Sequence, residues 1–323
     1  MLSRRSLLAA AGAAVTIRPA FAQGWSPSRP IRFIVPFVAG GSTDIAARII
    51  ADRMGETLGQ PVVVENRGGS GGNIGGEMVA RAAPDGHTIL MGVTGLLTTN
   101  PHIYKSMPFD PAKDLAPVSM AYTSDMVIVV PNSLPVRTLQ EFVAYAKARP
   151  GQLSFGSSGH GASTHTAAEL FRLAAGIDIV HVPYRGSGAA MNDLMAGTIQ
   201  MMLIQIAGAV GQIRDGQVRA LAATGPRRHP LLPEIPSVGE AGWPNATATS
   251  WGCVMAPAGT PQPIIARLNQ AVVEALATEA VQRRLSGAGV DGQSSTPEEL
   301  ASFIAAEREK WGRVVREARI TVD

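Results

Sequence analysis

The chain alternates short apolar runs with segments whose apolar residues recur every three to four positions. That is the rhythm of strands alternating with helices. Ile31-Arg32-Phe33-Ile34-Val35-Pro36 reads as a strand, followed by Gly40-Gly41-Ser42-Thr43-Asp44 and a helix that turns Ile45, Ile49 and Met54 inward. Pro61 to Glu65 reads as a second strand, Asn66 to Gly72 as a glycine-rich turn, and Ile74 to Ala82 as a helix. Thr88 to Val93 is a third strand. Runs this unbroken suit parallel strands buried on both faces. The middle repeats the theme, with strands at Met126 to Val130, from Leu153, at Ile179 to Val182, Ile199 to Ile204 and Val218 to Ala223. A helix is expected from Thr164 to Ala175, another from Thr260-Pro261 to about Ala277, and a long one from Thr296 to about Ala318. Thr138-Leu139-Gln140-Glu141 and Thr296-Pro297-Glu298-Glu299 read as capping boxes. In each, the threonine oxygen accepts from a free backbone N–H and the glutamate reaches back. The pattern predicts an α/β fold. Chain crossovers near Tyr122 to Asp125 and between Thr224 and Thr249 are the expected domain edges, the second being proline-rich.

The amino terminus departs from this rhythm. Ser3-Arg4-Arg5-Ser6-Leu7-Leu8 is a twin-arginine pattern, an apolar run reaches Val15, and Ala20-Phe21-Ala22 has the form of a cleavage site. The run is shorter than the roughly 20 apolar residues a spanning helix needs. Residues 1–22 are therefore expected to be an export signal, with a mature chain starting near Gln23 and working in the periplasm. The full sequence carries 28 basic and 25 acidic residues. The signal holds Arg4, Arg5 and Arg18 and no acid, which leaves 25 of each sign. A neutral chain without a basic run gives nucleic acid or an anionic membrane no footing. Hydrophobic residues at 46% and charged residues at 16% describe a folded globular chain. Cys253 stands alone in an apolar strand, so no intrachain disulfide forms and its expected role is packing.

Four strand-to-helix turns concentrate the candidate chemistry: Gly40 to Asp44, Gly68 to Asn73, Gly156 to Thr164 and Gly186 to Gly188. Open α/β sheets bind ligands beyond the C-terminal ends of their strands, where such turns meet. Helix N-termini there offer unpaired N–H groups and a partial positive charge, so an anion is held without a lysine or arginine. Rival chemistries find less. No Gly-Lys pair supports a P-loop, and the turn glycines do not spell G-x-G-x-x-G. His160 and His165 form a possible metal pair, with no carboxylate or cysteine read as completing it. A hydrolase would use Ser157 or Ser163 with His165, and no acid is read at a spacing that orients the base.

Six strings carry a family likeness in a fixed order. They are Pro36 to Asp44, Val64 to Gly75, Ala83 to Thr88, Phe155 to Gly159, His181 to Gly186, and Ala256 to Pro261. With these the chain resembles the tripartite tricarboxylate transporter substrate-binding proteins, the Bug receptors. The resemblance implies a type II periplasmic-binding-protein fold, two lobes each with a mixed five-stranded sheet flanked by helices. Residues 23–123 and 225–323 would form the first lobe and 124–224 the second. It also implies a solute-binding protein that captures a small carboxylate between the lobes and delivers it to membrane transporter subunits. It implies no cofactor, no catalysis and a monomer. A sensor presenting its ligand to a membrane kinase would share the pocket. Carried over by motif, the expected ligand contacts are Gly40, Ser42, Thr43 and Asp44 in the first loop. Gly69, Ser70 and Thr94 should shape the first lobe's wall. Ser157, Ser158, Gly161, Ser163, Thr164, His165, Tyr184 and Arg185 come from the second lobe. Gln205 stands where many relatives place aspartate, and its neutral amide exchanges a charge for a donor and an acceptor.

Overall fold

The computed structural model describes residues 25–321. The export segment and the start near Gln23 lie outside the described residues. Ten strands are found among the described residues: β1 (Ile31–Val35), β2 (Val62–Asn66), β3 (Thr88–Val93), β4 (Leu115–Pro131), β5 (Ser154–Ser157), β6 (Val180–Pro183), β7 (Met201–Gln205), β8 (Val218–Ala223), β9 (Thr249–Pro257) and β10 (Asp291–Gly292). They form two mixed sheets that share β4. In the first, β2, β1 and β3 run parallel, β9 is antiparallel to β3, and Leu115 to Asp125 of β4 pair with β9. The short β10 adds to β4 at Tyr122 and Thr123. In the second, β6, β5 and β7 are parallel, and Met126 to Pro131 of β4 lie antiparallel between β7 and β8.

The expected crossover at Tyr122 to Asp125 is thus not a loop. It is the middle of a 17-residue strand that leaves one sheet at Asp125 and enters the other at Met126. A strand is stiff in stretch and soft in twist, so it can join two lobes and still let them rotate. The return crossing is stitched by one hydroxyl. Thr224 Oγ1, fully buried, donates to Ala248 O at 2.6 Å and accepts from Met126 N at 3.2 Å. The segment before β9 packs with the second sheet: Val238, Ala241, Ala246 and Ala248 share a core with Phe142, Phe155 and Phe171. Trp311 and Val314 of the helix Pro297–Ala318 reach the same core.

Each sheet is covered on both faces. Over the first, Ile50 and Met54 of the helix Ser42–Leu58 meet Leu268 and Val272 of the helix Gln262–Leu276. Burying a side chain of this size contributes about 1.5–3 kcal/mol. Ile45 was expected inside with them, but it is 39% exposed and borders a cleft, while Ala46 and Ala47 take the inward positions. The second capping box forms as read, with Glu299 N donating to Thr296 Oγ1 and Thr296 N donating to the Glu299 carboxylate. In the first, Glu141 N donates to Thr138 Oγ1, but the Glu141 carboxylate takes the N–H of Arg137 instead.

Candidate functional site

The strand-to-helix turns converge on two adjoining cavities between the sheets. One, of about 370 Å³, is lined by Ser42, Thr43 and Gly71 from the first side and by the run from Ser158 to Ser163 from the second. The other, of about 460 Å³, carries Ile45, Ser187 and Gly188, and the two share Ser42, Ser124 and Gln205. Among the described residues that line the first cavity none is Asp, Glu, Lys or Arg. Two helices begin at its wall, Ser42–Leu58 and Ser163–Ala175. Both start without a side-chain cap, at Gly41 and Ala162. Their first N–H groups are left to whatever occupies the cavity, with the positive ends of both dipoles behind them. A third cavity, of about 760 Å³, is larger but differs in kind. Its lining mixes both signs, Arg227, Arg228 and Lys310 with Asp125, Asp291 and Glu307, and several of these are already paired: Lys310 with Glu307 at 3.2 Å and Arg228 with Glu240 at 3.0 Å. Three carboxylates on this wall oppose an anion, where the first cavity has none among its described lining.

The expected contacts sort into lining and support. Ser42, Thr43, Thr94, Ser158, Gly161, Ser163 and Gln205 line the first cavity. Thr43 Oγ1 is 3.0 Å from the hydroxyl of Tyr122, which burial pushes up to about 12 and keeps neutral. The Gln205 amide donates to Ser163 Oγ at 3.4 Å. Thr94 lines the wall with its hydroxyl committed, donating to Trp251 O at 3.2 Å and accepting from Trp251 N at 2.9 Å. Asp44 stands behind its loop. Its carboxylate takes the Gly40 N–H at 2.9 Å, the Asn66 amide at 2.9 Å and the Arg48 guanidinium at 3.1 Å. Burial alone would raise this carboxyl, but Arg48, Gly40 and Asn66 outweigh it and hold it below its usual range. Asp44 therefore shapes the loop in which Gly40 takes a left-handed φ of 88°. Gly69 and Ser70 are exposed and off the wall, and Gly71 takes the place expected of them. A Cβ on Gly71 would lie 2.9 Å from the Tyr104 hydroxyl, so only glycine lets that turn approach. Tyr184 lies outside the cavity, donating to Asp193 at 2.6 Å, and Arg185 is exposed outside it too.

Behind the Ser158 loop lies a cluster only half visible in the sequence. Three imidazoles, His160, His165 and His181, bring one ring nitrogen each within 4.8 Å of one another. His165 and His181 stack, centroids 3.7 Å apart and planes 8° apart, and His160 stands nearly perpendicular to both. Gly161 N donates to His165 Nδ1 at 3.1 Å, so the neutral ring carries its proton on Nε2, which is 3.9 Å from the Glu169 carboxylate. Ser157 Oγ, fully buried, is 2.7 Å from His181 Nε2. Burial, with the neighbouring imidazoles, lowers His165 to about 3 and His181 to about 4. At neutral pH the His165–Glu169 contact is thus not an ion pair.

These placements revise the earlier expectations. The serine beside a histidine is Ser157, its partner is His181 rather than His165, and it is sealed from the cavity. Glu169 does stand beside His165, one helical turn on, which the sequence reading had passed over. A literal G-x-S-x-G string occurs at Gly68 to Gly72, yet its Ser70 is exposed with no histidine bonded to it among the described residues. The stack also suits a metal poorly. An imidazole nitrogen binds along its lone pair, in the ring plane, and two parallel rings do not aim at one point. Thr164 joins the supporting layer, its Oγ1 accepting from Ser158 N at 3.0 Å. Asn100, Tyr104, Tyr122, Ser124 and Ser250 line the cavity and were missed. Tyr122 and Ser124 lie in the crossing strand, Ser250 at the start of β9, and Asn100 and Tyr104 at the two ends of the short helix Asn100–Ile103, with no local string to mark any of them.

A family model described as "Tripartite tricarboxylate transporter family receptor" matches residues 46–320. The chain belongs to this receptor family. The receptor is 39% identical over 292 residues to Protein BugT of Bordetella pertussis, covering 90% of each chain. Among solved structures it resembles R. palustris Rpa4515 with adipate, with a TM-score of 0.81 and 35% identity over 91% of this chain and 99% of that one. It also resembles MatC (Rpa3494) from Rhodopseudomonas palustris with bound malate, with a TM-score of 0.77 and 34% identity over 90% of this chain and 99% of that one.

Proposed function

We propose that the chain is a non-catalytic periplasmic receptor that closes on a small carboxylate and presents it to membrane transporter subunits. One observation carries the reading: a cavity between the lobes, free of charged side chains along its lining, into which two uncapped helix starts open from opposite sides. Such a cradle favours an anion by dipoles and hydroxyls without fixing it irreversibly, as a delivery protein requires. The relatives bound to adipate and to malate support the ligand class. On the first crossing we place the division between Asp125 and Met126, where β4 passes from β9 to β7 and β8, two residues beyond the expected 123/124 boundary. Packing of Val238, Ala241 and Ala246 on the second core supports placing the return at Ala248, before β9.

Thermal melting tests this reading. A ligand at one hundred times its Kd stabilises the folded state by about 2.7 kcal/mol. Succinate, malate, adipate and benzoate form the first panel. At least one should raise the melting temperature by several degrees while its neutral amide does not. A panel extended across small mono-, di- and tricarboxylates without any shift would sink the proposal.

A further inference from the structure

The cavity has one imidazole on its wall. His160 lines it, is exposed, and has no Asp, Glu, Lys or Arg beside it among the lining residues. Histidine is the side chain whose charge changes between about pH 5 and 8. Its two imidazole neighbours are committed elsewhere, His165 to the Gly161 N–H and His181 to Ser157. Burial holds both neutral, at about 3 and about 4. Of the three clustered rings, His160 is the one that faces the cavity, and among the described residues no hydrogen bond ties its ring to the loop behind it. The other titratable groups around it do not compete. Tyr104 and Tyr122 line the cavity and burial raises both phenols, so they stay neutral. The neighbouring loop is bonded to this one through Tyr184 N to Ser157 O and Gly186 N to Ser158 O, and it carries Arg185 outward, exposed and outside the cavity. Glu169 lies behind His165, bonded to Arg172 at 2.6 Å.

A monocarboxylate needs only the dipoles and hydroxyls. A second carboxylate brings a second charge into a space with no fixed cation. We propose that His160 is the proton-accepting counter-charge for that group, so that dicarboxylates bind with uptake of a proton from solvent onto its imidazole. This rests on the receptor reading and narrows it. A carboxylate within about 4–6 Å favours the charged imidazole by one unit or more, and each unit is tenfold in affinity. The sign follows. Dicarboxylate binding should tighten as pH falls from about 8 to 6, a range in which the acids themselves remain mostly dianions.

Calorimetry on the full chain tests this, with adipate against hexanoate and succinate against butyrate, at pH 6, 7 and 8. Each titration is run in two buffers of different ionisation enthalpy, which counts protons. Adipate or succinate should bind roughly five- to tenfold more tightly at pH 6 than at pH 8 and take up about half a proton or more at pH 7. The monocarboxylates should show neither effect. His160→Asn should abolish both effects, and its melting temperature reports whether the fold is kept. Dicarboxylate binding with no proton uptake and equal affinity across these pH values overturns the inference and leaves the receptor reading standing. So does a variant that still takes up the proton. If none of the four acids binds, and none of the wider panel does, both readings fall.

Discussion

At the scale of single residues, the second-lobe site rests on a pair of buried neutral imidazoles. Unfolded, His165 and His181 titrate near the ordinary histidine value of about 6.5. Folded, they resist protonation down to about 3 and about 4. Above about pH 6.5 both states are neutral and the pair gives no pH dependence. Below that, the unfolded chain binds protons that the folded chain refuses, so stability falls as pH falls. At pH 5 His165 alone accounts for a loss of roughly 2 kcal/mol. Melting should drop by about 4 °C or more between pH 7 and pH 5. Equal melting at the two values would contradict the neutral stack. The residue scale also shows what a sequence can hide. Ser42, Thr43 and Ser163 were legible because glycine-rich strings mark their turns. His181 was not read as a partner of His165, because 16 residues and a whole helix–strand unit separate them and only the pairing of β5 with β6 brings them together.

At the scale of elements, the loop before the helix Ser163–Ala175 decides how closely the lobes meet. Gly161 holds a φ of 70°, and a Cβ there would lie 2.4 Å from Ile103 Cδ1 across the cleft. Gly161→Ala meets two costs. The left-handed backbone costs roughly 1–2 kcal/mol, and the contact forces Ile103 aside. We expect about tenfold weaker carboxylate binding with a modest loss of melting temperature. Adding Ile103→Ala should restore part of the affinity, because it relieves the contact and leaves the strain. Wild-type affinity in the single variant would show that the loop need not approach the first lobe. The elements themselves were largely legible, because apolar runs and capping threonines are local signals. β4 was only half legible. Its first half, Leu115 to Ser124, carries Pro117 and polar Ser119, and Pro117 sits where the register with β9 shifts. Proline and polar residues hide a strand that bulges in this way.

At the scale of the whole molecule, one continuous strand and one return crossing join two covered sheets, and the proposed ligand cavity lies where the sheets face each other. Contacts from both sides exist together only when the lobes are near, so a ligand shifts the population toward the closed form by its differential affinity. Solution scattering should show a smaller radius of gyration with saturating dicarboxylate than without. No change at saturation would mean that binding and closure are uncoupled. Thr224 lies at the return crossing, and Thr224→Val removes its hydroxyl's bonds to Ala248 and Met126 while keeping its backbone bonds to both. It should lower stability by about 1–3 kcal/mol, read from denaturant midpoints. The two-lobe architecture was foreseen through the family resemblance rather than from periodicity. Alternation of strand and helix does not say which strands share a sheet.

The most direct test of the account is a crystal structure of the receptor with adipate. The account predicts a carboxylate in the cavity between the lobes, bonded to first-turn N–H groups of the helices that begin at Ser42 and Ser163, with no lysine or arginine side chain on it. A carboxylate found instead in the third cavity, clamped by Lys310 or Arg227, would contradict it.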